Sequence, residues 1–152
     1  MIANARYVHT NLIARDWQAL AKFYQTVFGC AVVPPERDFQ GADLDAGTGL
    51  SGARLRGVHL RLPGYDDNGP TLEILNYNIL QNRSEPAVNR PGFGHIAFSV
   101  DDVNAARETI FDYGGQPIGD VVTLTIATGA QVTWCYVTDP EGNILELQSW
   151  RR

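Results

Sequence analysis

The 152-residue chain is poor in several features that would assign a function class at once. It has only two cysteines, Cys30 and Cys135. They are too few and too far apart for a zinc knuckle or a CxxC redox pair, so both are expected to be reduced and buried as small apolar side chains. Lys22 is the only lysine and lies in a helical stretch, which leaves Schiff-base chemistry a poor prospect. No block of Lys and Arg occurs, and 12 basic against 17 acidic residues give a net charge of −5. A nucleic-acid partner needs a basic footprint, so none is expected. No apolar run reaches the ~18 residues of a membrane span. The opening MIANARYVHT carries neither a basic n-region nor an apolar h-region, so the expected location is the cytoplasm.

What is present is an ordinary globular composition, 44% hydrophobic, in a length that suits one domain. Residues 6–14 (RYVHTNLIA) read as a buried strand. Asp16 is a natural N-cap for a helix in which Trp17, Leu20, Ala21, Tyr24, Val27 and Phe28 recur at helical spacing, and Gly29 is its expected stop. Cys30–Val33 begins a second strand, which Pro34-Pro35 either ends or confines to a sheet edge. Residues 40–52 are glycine-rich and read as a mobile loop, a lid over a site or a slack surface segment. Strands are expected at 54–62 and 71–77, followed by a polar connector at 79–92 containing Pro86 and Pro91.

Beyond the connector the order repeats. Strand 93–100 (FGHIAFSV) precedes a helix capped by Asp101 or Asp102, with an apolar stripe of Val103, Ala106, Ile110 and Tyr113. Extended runs follow at 116–126, 131–138 and 144–149, the last two joined by the turn DPEGN. The chain therefore reads as one α+β domain over 1–152, built from two tandem βαβββ modules. The first spans about 5–78 and the second about 93–150.

The duplication extends to chemistry. His9 and His95 fall in the first strand of each half, and Glu73 and Glu146 in the last. Strand alternation puts Glu73 on the face opposite Leu72 and Ile74, and Glu146 opposite Leu145 and Leu147. A half-buried carboxylate needs a cation or a raised pKa. Taken singly, each residue reads as a satisfied sheet histidine or an arginine-paired acid. Four at matching places point to a divalent metal, with two imidazoles and two carboxylates as ligands and positions left for water or substrate. His59 has no histidine counterpart in the second half, so it reads as structural or at most substrate-facing.

The segments VHTNLIARDWQALAKFYQTVFG, TLEILNY, GFGHIAFSVDDV and VTDPEGNILEL resemble the vicinal oxygen chelate superfamily over nearly the whole chain. That superfamily holds glyoxalase I, methylmalonyl-CoA epimerase, extradiol dioxygenases and the fosfomycin- and bleomycin-resistance proteins. The segments look most like bacterial glyoxalase I (lactoylglutathione lyase). The resemblance implies paired modules with mixed sheets curled around one divalent ion (Ni, Zn, Co or Mn), with His9, Glu73, His95 and Glu146 as ligands. It also implies a homodimer, sometimes with a site shared between chains.

The chemistry implied is proton abstraction next to a carbonyl, with the metal stabilising the enediolate that forms. A carboxylate able to leave the metal suits the base, and Glu146 is the candidate, with Glu73 as its counterpart. The substrate implied is a small α-oxo compound or thioester. The alternatives are an epimerase of the methylmalonyl-CoA type, an extradiol dioxygenase, or a metal-free drug-binding protein. This chain departs from bacterial glyoxalase I where that family grips glutathione. Ile13 replaces an arginine four residues after the first histidine, Tyr77 replaces an asparagine, and TGAQVTW lacks a basic residue. Arg54, Arg56 and Arg61 either meet an anionic substrate or serve as exposed charges on a strand.

Overall fold

A computed structural model describes residues 2–151. The chain divides into two compact units, the first ending at Asn82 and the second beginning at Arg83, inside the polar connector. The first unit runs β1 (His9–Ile13), α1 (Trp17–Phe28), β2 (Ala31–Gln40), α2 (Ala42–Thr48), β3 (Arg54–Arg61) and β4 (Thr71–Tyr77). The second runs β5 (Ile96–Ser99), α3 (Val103–Asp112), β6 (Val122–Thr125), β7 (Gln131–Thr138) and β8 (Ile144–Arg151). Each unit holds a four-stranded mixed sheet, ordered β1-β4-β3-β2 and β5-β8-β7-β6, and neither sheet closes. In both, the first strand pairs parallel to the last and the other pairings are antiparallel. The α+β architecture expected from the repeat is present. No helix among the described residues is long and apolar enough to cross a membrane.

The helices begin where the acidic caps place them. Asp16 accepts a hydrogen bond from the Ala19 N–H at 3.0 Å, and Asp102, not Asp101, accepts from Ala105 at 3.1 Å. Gly29 ends α1 in the left-handed conformation at φ 70°, its N–H returning to the Gln25 carbonyl. Helix α1 buries Leu20, Ala21, Phe23 and Tyr24, beside Val58, Leu60, Leu72 and Ile74 in the core of the first unit. Helix α3 buries only Val103 and Ile110, while Tyr113 of the expected stripe stands half exposed. The DPEGN turn is tightened by buried Asp139, whose carboxylate accepts from the Glu141 and Asn143 N–H groups and from Asn143 Nδ2.

Three expectations are corrected, and of the two alternatives for Pro34-Pro35 the edge strand is the one found. The loop at 40–52 contains α2, stabilised by Asp43 and Asp45 in its first turn. The Asp45 carboxylate also accepts from the Gly52 and Ala53 N–H groups and so ties down the residues that follow. Strand β2 continues through Pro34-Pro35, joined by a cis peptide, to Gln40. It does so because it is the edge strand and because the prolines lie in a bulge. Val33 pairs with His59 and Arg37 with Gly57, so three residues of β2 stand opposite the single Val58. The strand expected at 93–100 is only β5, so His95 lies one residue before it rather than within it. The strand expected at 116–126 shortens to β6, with a single bridge from Pro117 to Val137.

Candidate metal centre

In the first unit, His9 on β1 and Glu73 on β4 face each other, His9 Nε2 lying 3.5 Å from Glu73 Oε2. The parallel pairing of β1 and β4 sets Asn11 opposite Glu73, two residues from His9 on the same face. The other carboxylate oxygen is occupied as well. His59, directly opposite Glu73 on β3, places its Nε2 2.8 Å from Glu73 Oε1. His59 Nδ1 lies 2.8 Å from the Thr71 hydroxyl, and the His59 and His9 rings meet edge to face at 5.5 Å.

Donor chemistry settles the proton positions. A carboxylate only accepts, so His59 Nε2 carries the hydrogen it donates to Glu73, and in the neutral ring Nδ1 accepts from Thr71 Oγ1–H. Burial lowers the His59 pKa from its ordinary value, with Glu73 opposing the shift and Arg37 and His9 adding to it.

In the second unit, His95 Nε2 lies 2.9 Å from Glu146 Oε2. Here Ala97 stands opposite Glu146 on β8, and His95 is again two residues before the paired position. The two His–Glu pairs thus occupy equivalent register positions. The counterpart of His59 follows from the same alignment. It is Tyr136, opposite Glu146 on β7. Its ring contacts His95 at 5.0 Å and Trp134 at 5.0 Å. Burial and the neighbouring Glu146 charge both raise the Tyr136 pKa. No hydrogen bond from Tyr136 to Glu146 is present among the described residues.

The structural reading of His59 stands and gains a named partner, because β3 and β4 pair without a register shift and set His59 directly opposite Glu73. Val58 and Leu60, on the other face of β3, enter the core. A Cβ at Gly57 would sit 2.0 Å from the Ile74 carbonyl oxygen, so only glycine permits this approach of β3 to β4. The glycine inside a strand pattern was the available signal.

The remaining candidates sort clearly. Arg54 is held bidentate by Asp38 at 2.8 and 2.6 Å, which keeps the Asp38 carboxyl below its usual range. Arg61 reaches Asp67 at 2.7 Å. Both thiols are buried, and burial pushes Cys30 up to about 11 and also raises Cys135. Ile13, which is 46% exposed, shares the open face of β1 with His9 and Asn11.

The donors of each pair suit a divalent ion. Two ligands bound at 2.0–2.2 Å on one ion are themselves about 3.0–3.5 Å apart at right to tetrahedral angles. The observed separations are 3.5 and 2.9 Å. Among the described residues no group of three or more His, Cys, Asp or Glu side chains is arranged as a complete metal cluster.

Comparison with known proteins agrees over most of the chain. The family model described as the Glyoxalase/Bleomycin resistance protein/Dioxygenase superfamily matches residues 6–147. A lactoylglutathione lyase of Haemophilus influenzae is 28% identical over 145 residues, 92% of this chain and 89% of its own. Among solved structures, a glyoxalase family protein from Bacillus cereus superposes with a TM-score of 0.76 at 17% identity, covering 100% of this chain and 97% of its own. The trypanothione-dependent glyoxalase I of Leishmania major gives a TM-score of 0.61 at 23% identity, covering 96% and 87% respectively. At these identities the structural likenesses speak to the fold.

Proposed function

The chain belongs to the Glyoxalase/Bleomycin resistance protein/Dioxygenase superfamily, and on that premise we propose that it is a divalent-metal-dependent, glyoxalase I-like lyase or isomerase acting on a small α-oxo or thioester substrate. The observation that supports this most is the pair of His–Glu contacts at equivalent register positions, His9 with Glu73 and His95 with Glu146. In this reading the two modules form one domain and the four side chains are the ligands of one divalent ion (Ni, Zn, Co or Mn). We assign the assembly as a homodimer.

When bound, the ion polarises the substrate carbonyl and stabilises the charge that develops on its oxygen. The residues of the chain handle the proton. Glu146 takes the hydrogen from the carbon next to the carbonyl; the C–H bond breaks, an O–H bond forms on Glu146, and the electron pair moves onto the carbonyl oxygen. Where the carbon that lost the hydrogen carries a hydroxyl, returning the proton to the former carbonyl carbon, while the hydroxyl hydrogen passes to the former carbonyl oxygen and a new C=O forms, completes an isomerisation with no other reactant. Glu73 is its counterpart in the first module.

The test is metal analysis of protein purified without added metal, followed by two assays. One uses the hemithioacetal of methylglyoxal and glutathione; the other follows proton exchange of methylmalonyl-CoA. Near-stoichiometric Ni, Zn, Co or Mn and turnover in the first assay are expected. Ile13, on the open face where glyoxalase I has an arginine, predicts weak saturation with glutathione adducts. No metal and no affinity for added metal would overturn the reading.

A further inference from the structure

We propose that His59 is a positioning residue that locks Glu73 in place and so decides which of the two glutamates is free to move. The inference rests on the functional reading above and deepens it. The two oxygens of Glu73 are divided between two partners: Oε1 accepts from His59 at 2.8 Å, while Oε2 faces His9 Nε2 at 3.5 Å. Oε2 is thus the oxygen left beside His9 for a cation, and Oε1 is already committed. The clamp is itself held, because Thr71 fixes His59 Nδ1 and sits two residues before Glu73 on the same strand. Both side chains are mostly buried, with 17% and 15% of their surface exposed. Rotating Glu73 away from this position breaks a hydrogen bond in a partly desolvated site.

The second unit lacks every part of this clamp. The position of His59 is taken by Tyr136, and the position of Thr71 by Ile144, which has no side-chain hydrogen-bonding atom. Glu146 Oε2 faces His95 at 2.9 Å, and Oε1 has no hydrogen-bond partner among the described residues. One carboxylate of the internal repeat meets a partner on each oxygen, and the other meets His95 on one oxygen, so we infer that the second has the greater freedom. A base that must leave its metal, take a proton and give it back is the one that can swing.

The experiment compares Zn2+ affinity, by calorimetry, across the full-length wild type, His59→Leu, His59→Gln and Tyr136→Phe. Loss of a hydrogen-bonding partner behind a metal ligand weakens binding about 10–100-fold. That loss is expected in His59→Leu, largely restored in His59→Gln, whose amide N–H still reaches the carboxylate, and absent in Tyr136→Phe. A second measurement needs neither metal nor turnover. Long-range 1H–15N spectra of the metal-free protein should show His59 with the hydrogen on Nε2, and Thr71→Val should shift its Nδ1 signal. If His59→Leu binds Zn2+ as tightly as wild type, or if His59 carries its hydrogen on Nδ1, the clamp is refuted and the functional reading stands. If wild type itself binds no Zn2+, the functional reading fails, and the selection between glutamates fails with it.

Discussion

The two halves of this chain share a scaffold, and among the residues by which they differ one stands opposite the glutamate of the last strand. On β3 that residue is His59, and Glu73 is gripped; on β7 it is Tyr136, and Glu146 is not. Strand order, pairing direction and the register of each His–Glu pair are the same in both. The difference teaches that the internal repeat builds two His–Glu pairs at equivalent register positions and surrounds them differently. Under the proposed function, duplication would supply the ligands of the ion, and divergence at β3 and β7 the asymmetry that a proton transfer needs.

The largest expected effect breaks that asymmetry directly. Glu146→Gln should lower kcat by about 10²–10⁴, the usual contribution of a general base. Glu73→Gln should act mainly on metal affinity, because its carboxylate is fixed. Steady-state kinetics with metal titration separates the two. Equal losses in kcat at saturating metal would mean that both glutamates move protons.

Next in size is Gly57→Ala, which attacks the close approach of β3 to β4 two residues from His59. The added Cβ meets the Ile74 backbone carbonyl at 2.0 Å, and a backbone atom in a paired strand has little room to yield. A loss of about 3 kcal/mol in denaturant unfolding is expected. The equivalent position on β7 is Trp134, and β7 changes burial parity at the same place, from Val132 to Cys135 and Val137, without a glycine. Trp134→Ala should remove only a ring contact with Tyr136 and leave the register intact.

This contrast also explains what could be read in the sequence. The bounds of β4 and β7, both acidic helix caps and the DPEGN turn follow from local chemistry and were legible. The pairing of His9 with Glu73 and of His95 with Glu146 was legible from the repeat. His59 was not, because its contact depends on the register of β3 against β4, which the spacing within either strand does not fix. The proline pair was ambiguous for the same reason: only the sheet order shows that β2 is an edge strand with no neighbour to require those N–H groups. Helix α2 was hidden by glycines that turned out to bracket it, Gly41 before and Gly49 after.

A smaller effect compares the two thiols. Cys30 titrates at about 11 in the folded chain against an ordinary value of 9.0. The folded state therefore holds its proton more tightly than the unfolded state. Its contribution is complete below pH 9 and is lost as pH rises from 9 to 11, amounting to about 2–3 kcal/mol at the end of that window. Cys30→Ser, whose hydroxyl does not titrate there, should flatten the loss seen in stability measured between pH 8 and 11. Cys135 is shifted in the same direction, with Arg107 acting against the rise. Cys135→Ser should flatten the profile less.

The smallest effect concerns the helices. Asp16→Ala and Asp102→Ala each remove one carboxylate cap, at a cost of about 1 kcal/mol. The caps are alike in geometry, 3.0 and 3.1 Å, but the helices they start are not. Helix α1 buries four side chains and ends on a left-handed glycine; α3 buries two and ends on Tyr113 at φ −103°. Hydrogen exchange should therefore show loss of protection limited to the first turn of α1 in Asp16→Ala, because packing holds the rest. In Asp102→Ala the loss should run further along α3, since fewer buried contacts oppose fraying. Equal spread in both helices would mean that the caps, and not the buried faces, set helix stability in this fold.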